Sequence, residues 1–245
     1  MFEYGYNKKY LYILLAVLVL LNIRSLTAEH LLSLVLTLPA VIIAITFHEY
    51  AHAFAADKLG DDTPRIQGRL NLNPISHIDP FGFVMLMFAG IGWGKPVEIN
   101  PRNFNRNVSM EKGEAIVSMA GPLMNFILAI ISGLALGALY TFAGLSFISS
   151  TVGSIIYILL QELVVINIGL GVFNLLPFPP LDGSKIFINF MPYNVQRWLR
   201  EHSQIFYIIF LILWISDLAS IIISPIISAL YRGLMKGILA IFRLF

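Results

Sequence analysis

Residues 31–56 read LLSLVLTLPAVIIAITFHEYAHAFAA. The first seventeen, 31–47, carry no charge. A bilayer crossing takes about 20 mostly apolar residues, so this run reads as a spanning helix, one that ends in ionisable side chains. Those side chains are His48, Glu49 and His52, set among Ala51, Ala53, Phe54, Ala55 and Ala56. On a helix, residues i and i+4 lie about 40° apart and one turn along. The two imidazoles therefore face one side and can share a cation. Glu49 projects about 100° from His48, beside that cation and not on it. This is the HExxH arrangement: two metal ligands plus a general base for hydrolysis. The pattern alone is short enough to arise by chance on a soluble helix. Its position decides the reading, because an ionisable residue at membrane depth costs about 3 kcal/mol and nothing structural requires Glu49 there.

The rest of the chain is equally apolar. Of its 245 residues 58% are hydrophobic and 12% are charged, against about 25% charged in soluble domains. Mean hydropathy is +0.80. These figures exclude a simple soluble globule and a disordered chain. A net charge of +2 leaves no footprint for nucleic acid. There is no cysteine. Disulfides and thiolate zinc sites are thereby excluded, so any metal must be held by His and carboxylate.

Further apolar runs complete the membrane layout. Residues 10–23 follow Lys8 and Lys9 and are interrupted by Arg24. With no small-residue cleavage site after it, this run reads as an uncleaved first helix, about 10–28. Residues 115–161 hold no charge, enough for most of two helices, expected at about 114–142 and 152–176. A last crossing is expected at 205–223, ended or kinked by Pro225. In 226–245, Arg232, Lys236 and Arg243 fall within about 40° on a helical projection, as in a basic interfacial helix. The expected fold is therefore an all-α polytopic membrane protein with about five to six transmembrane helices. It forms one integral-membrane domain over 1–245, with a core at about 31–190. Between the second and third helices, 57–112 is rich in Asn, Pro, Gly and charge. Its apolar stretch 81–93 is too short to span and suits a re-entrant or surface hairpin. Lys58, Arg65, Arg69, Lys95, Arg102, Arg106 and Lys112 lie in this segment, and Lys185, Arg197 and Arg200 in 177–202. The 143–151 connection has no basic residue. Positive charge on cytoplasmic loops places the first two segments inside.

A hydrolytic zinc takes three protein ligands and leaves one position for water. The candidates for the third are Asp57, Asp61, Asp62, His77, Asp79, Glu162, Asp182, His202 and Asp217. Asp182 stands out because it lies near the end of 173–183, FNLLPFPPLDG, after a membrane helix. Three prolines disfavour regular helix there, and Gly183 lets the backbone turn sharply. An unwound segment of this kind can aim a carboxylate at a neighbouring helix.

HEYAH in one membrane helix and FNLLPFPPLDG at the end of a later one resemble the site-2 protease family of intramembrane zinc metalloproteases (peptidase family M50). The stretches 68–74 (GRLNLNP), 77–80 (HIDP), 92–97 (GWGKPV) and 120–125 (AGPLMN) resemble it too. The likeness covers roughly 35–190, in a compact form with no room for a PDZ domain or a CBS pair. It implies one zinc per chain on His48, His52 and Asp182, with Glu49 as general base. It also implies substrate contacts at Asn174 and, less directly, Asn125. A small membrane-associated β/loop insertion at about 66–100, receiving an extended substrate strand, is implied as well. The implied partners are a transmembrane protein or signal-peptide substrate and the lipid bilayer, with a homodimer left open. Two other functions compete: a metal-ion transporter or channel, which would not need Glu49, and a catalytically inactive scaffold.

Overall fold

Long apolar helices organise the protein. The computed structural model describes residues 27–89, 92–188, 190–215 and 218–242. The expected first helix at 10–28 lies almost wholly outside them, as do Asp217 and Arg243. The described helices are α1 (Ala28–Lys58), α2 (Thr63–Ile66), α3 (Pro74–His77), α4 (Pro80–Ala89), α5 (Met110–Phe142), α6 (Gly144–Ile148), α7 (Thr151–Asn174), α8 (Asp182–Ile188), α9 (Tyr193–Glu201), α10 (Ser203–Ile215) and α11 (Leu218–Phe242). Among the described residues, four helical stretches are long and apolar enough to cross a membrane: Leu32–Lys58, Met110–Phe142, Thr151–Asn174 and Ser220–Phe242.

α1, α5 and α7 pack on one another, and α11 lies against α5 and α7. Lipid tails are as apolar as leucine, so close backbone approach drives such packing more than hydrophobicity does. Small residues supply it. Ala40, Ala44, Ala51, Ala53 and Ala56 of α1 are buried. On α5, a Cβ at Gly133 or Gly137 would lie 2.6 Å from Ile238 of α11. Ala129, Val164, Ile168, Val172 and Ile223 form the shared apolar cluster. Ser109 caps α5 through the Lys112 amide and Ser150 caps α7 through that of Gly153, which fixes where the two helices start.

Two expectations need correction. The boundary expected at Pro225, between a crossing at 205–223 and a separate basic helix at 226–245, does not form. α11 runs from Leu218 through Pro225 to Phe242 as one helix of 25 residues, so the chain neither ends nor breaks its helix at the proline. One missing amide does not stop a helix where neighbouring helices hold it. The apolar face of 226–242 packs on the glycine groove of α5, while Arg232 and Lys236 are exposed. The β/loop insertion likewise contains no strand among the described residues. Its only ladder contact there is the isolated antiparallel bridge Ile78–Gly94.

Polar bonds order this segment instead. Asp61 is fully buried and accepts from the amides of Thr63 (3.1 Å) and Asn100 (2.6 Å), from Asn103 Nδ2 (3.0 Å) and from the Thr63 hydroxyl. Burial alone would raise its pKa, but these four donors outweigh burial and hold it below the ordinary carboxylate range. Phe104 seats its ring over Gly113, where a Cβ would come within 2.3 Å. The segment is thereby pinned to the start of α5.

Candidate metal centre

The α1 sequence sets His48 and His52 one turn apart, with their Nε2 atoms 3.0 Å from each other. Each Nε2 is 3.1 Å from Asp182 Oδ2. Asp182 reaches them because α7 ends at Asn174 and helix resumes only at Asp182. The prolines at 177, 179 and 180 keep the intervening chain from continuing the helix. Gly183 then presses onto the carbonyls of Leu175 and Leu176, where a Cβ would lie 2.3 and 2.4 Å away. The chain doubles back there and turns the carboxylate toward α1.

What stands behind each imidazole settles its tautomer. His48 Nδ1–H donates to Asn125 Oδ1 at 2.7 Å, and His52 Nδ1–H donates to the Val117 carbonyl at 2.7 Å. Both partners are acceptors, since the Asn125 amide nitrogen is itself used on Ala44 O (3.2 Å) and Asn167 Oδ1 (2.9 Å). In the neutral ring each Nε2 therefore carries the free lone pair. Those two nitrogens and a carboxylate oxygen face one another at 3.0–3.1 Å, an arrangement a shared cation satisfies. Those edges are close to the roughly 3.3 Å edge of a tetrahedron with zinc–ligand bonds of about 2.0–2.1 Å. The side chains are only 7%, 10% and 16% exposed. On α5 the space beside them is kept by Gly121, whose Cβ would lie 2.4 Å from His52 Nε2 and 2.7 Å from His48 Nε2. The donor set and the glycine cradle fit a zinc ion. Among the described residues, this is the one group of three His or carboxylate side chains placed to hold a metal.

Several of the other candidate ligands are committed elsewhere, Asp61 as described above. Asp57 pairs with Arg65 at 2.8 Å, and Asp79 caps the Gly82 amide at 2.7 Å. His202 bonds the Trp198 carbonyl. His77 is buried, with Nε2 on Asn71 O at 2.7 Å. Burial, with the Arg69 cation nearby, lowers the His77 pKa and keeps it neutral.

Glu49 lies where its helical angle puts it, on the side of α1 facing the 59–109 segment. Its Oε2 accepts from the Val97 amide at 3.1 Å and lies 3.9 Å from the Arg69 guanidinium. Gly94 allows the close approach, since a Cβ there would be 2.9 Å from Ile45 Cγ2 and 3.2 Å from Glu49 Oε1.

The two asparagines part ways. Asn125 is not placed to touch a substrate: it is fully buried, and its amide is consumed by His48, Ala44 and Asn167. Its position is behind His48. Asn174 is half-buried and donates to Leu170 O of its own helix at 3.0 Å. Sequence reasoning missed Asn167, Gly121, Arg69 and the Val97 amide as parts of the centre. Asn167 carried a legible signal, an amide within an apolar run.

A buried His–His–Asp cluster with a carboxylate beside it, on helices long enough to cross a membrane, defines the class as a metal-dependent hydrolase of the membrane. Comparison with known proteins makes this specific. The family model described as Peptidase family M50 matches residues 140–216, which contain Asn174 and Asp182. A protein of Bacillus subtilis (strain 168), provisionally named zinc metalloprotease YwhC, is 38% identical over 212 residues, covering 86% of this chain and 92% of that one. The zinc metalloproteases provisionally named Rip2 are more distant. That of Mycolicibacterium smegmatis is 28% identical over 185 residues, and that of Mycobacterium tuberculosis (strain H37Rv) 25% over 186. Each alignment covers 74% of this chain and 67% of the relative. No solved structure matches. The chain belongs to peptidase family M50, the site-2 protease family, and is a zinc metalloprotease of the membrane.

Proposed function

We propose that this protein cuts peptide bonds within or near transmembrane segments of membrane-anchored substrates, in the manner of regulated intramembrane proteolysis. The observation that carries the reading is the His48–His52–Asp182 triangle, part-way along a helix long enough to span a bilayer. His52 precedes the end of α1 by six residues, about 9 Å of helix rise. The site therefore sits toward the end that joins the charged 59–109 and 175–202 segments. Positive-inside placement of those segments puts it toward the cytoplasm and gives water a short route in.

In this reading His48, His52 and Asp182 hold one zinc, with Asn125 and the Val117 carbonyl fixing the ring orientations. When bound, zinc supplies a Lewis acid for the scissile carbonyl and a lowered pKa for water. Glu49 takes the proton from the attacking water and returns it to the leaving amine. Asn174, at the mouth of the unwound segment, contacts the substrate backbone once it lets go of Leu170. The substrate is a single-span protein or a signal peptide. Its helix must open locally before attack, which favours Gly, Asn or Pro near the cut.

The test is zinc analysis paired with cleavage of a single-span model substrate by wild type and Glu49→Gln. The variant should keep one zinc per chain and lose cleavage by at least about 100-fold. Cleavage at the wild-type rate by the zinc-loaded variant would refute the peptidase mechanism.

A further inference from the structure

We propose that Arg69 is a positioning residue that holds Glu49 in place by tying the 76–97 segment to the helix carrying the base. The inference rests on the reading of Glu49 as general base. Arg69 is 4% exposed. Its Nη1 donates to the Ser76 carbonyl and its Nη2 to the Lys95 carbonyl. These carbonyls lie on the two sides of the Ile78–Gly94 bridge, where the Lys95 amide also donates to His77 O at 2.8 Å. One guanidinium thus closes both ends of the segment. The same Nη2 is 3.9 Å from Glu49 Oε2, the oxygen that accepts from Val97 N. Two residues after Lys95, the chain delivers that Val97 amide. Fixing Lys95 therefore fixes the donor that orients the base.

A purely structural account fits less well. The segment already has an anchor in Asp61, whose carboxylate is fully bonded. Arg69, by contrast, is a buried cation whose Nε has no partner, which costs stability. Its closest carboxylate is that of Glu49, at 3.9 Å, ahead of Glu98 in its pull on the cation. Only the planar fork of arginine spans two carbonyls and a carboxylate; the point charge of lysine does not. Burial keeps Arg69 from touching substrate itself, so its action is through Glu49.

The experiment measures kcat, KM and zinc per chain for the full-length protein in lipid nanodiscs, cutting a single-span model substrate. Wild type, Arg69→Gln, Arg69→Lys and Glu49→Gln are compared. Arg69→Gln should lower kcat by about 30-fold or more, with KM within about 3-fold and zinc unchanged. Arg69→Lys, keeping the charge but not the fork that spans both carbonyls, should recover part of that loss. Three results overturn the proposal: kcat within about 3-fold of wild type, a rise in KM alone, or zinc lost in step with kcat. Should the Gln variant not accumulate, Arg69→Lys carries the same readings, with a smaller kcat loss expected. If zinc-loaded Glu49→Gln still cuts, the reading of the base fails. If it is dead while Arg69→Gln turns over normally, only the role of Arg69 falls.

Discussion

The helix bundle and the 59–109 segment build opposite sides of one site by different means. In the bundle, position comes from backbone contact between small residues. Ala44, Ala51 and Gly121 let α1 and α5 approach, and both histidine Nδ1 atoms and the Asn125 amide behind His48 are paired. In the segment, position comes from side chains bonding to backbone: Asp61 to amides, Arg69 to carbonyls, Glu49 to the Val97 amide. The proposed metal ligands belong to the first region, while Glu49, the proposed base, belongs to the first by covalent bond and to the second by hydrogen bond. On this reading metal binding and turnover should be separable.

The largest expected effect tests the bundle side. Gly121→Ala puts a methyl 2.4 Å from His52 Nε2, where the ion would bind. Zinc per chain should fall well below one and cleavage by more than about 100-fold, while the helices still form. Full zinc occupancy in this variant would break the comparison. A smaller effect is expected from the segment. Gly94→Ala crowds Ile45 and Glu49, so kcat should fall by about 10-fold with zinc unchanged. If that variant lost its metal, the two regions would not be independent. The smallest effect concerns the anchor alone. Asp61→Asn should weaken the segment by about 2 kcal/mol, read as faster proteolysis within 59–109, with zinc retained. The same anchor sets a pH limit. The folded pKa of Asp61 is lowered, so its contribution is complete above the unfolded value of about 3.9 and disappears as pH falls through the lowered one. Protease protection of the segment should therefore persist at pH 5 and fade under strong acid in wild type, and show no such acid step in Asp61→Asn.

Where sequence reasoning succeeded, the relevant geometry was local. His48 and His52 share a face because helical periodicity is a property of five consecutive residues, and Glu49 points aside for the same reason. Asp182 was singled out because three prolines and a glycine disrupt helix around it. The C-terminus was misread because the partner of its apolar face, the glycine groove at 133 and 137 of α5, lies about a hundred positions away in the chain. An amphipathic pattern says which face is apolar but not whether lipid or protein covers it. The insertion was expected to form a sheet, yet bonds to Asp61 and Arg69 order it instead.

The amino-acid order by itself determined the membrane setting, the metal-binding turn of α1 and the exclusion of thiolate ligands, since length, hydropathy and i to i+4 spacing need no third dimension. Only the tertiary structure decided that Asn125 backs His48, that Gly121 leaves room beside the two imidazoles, and that Arg69 reaches Glu49. Each of these depends on which helices lie side by side, and van der Waals contact between distant residues leaves no periodic trace in the chain.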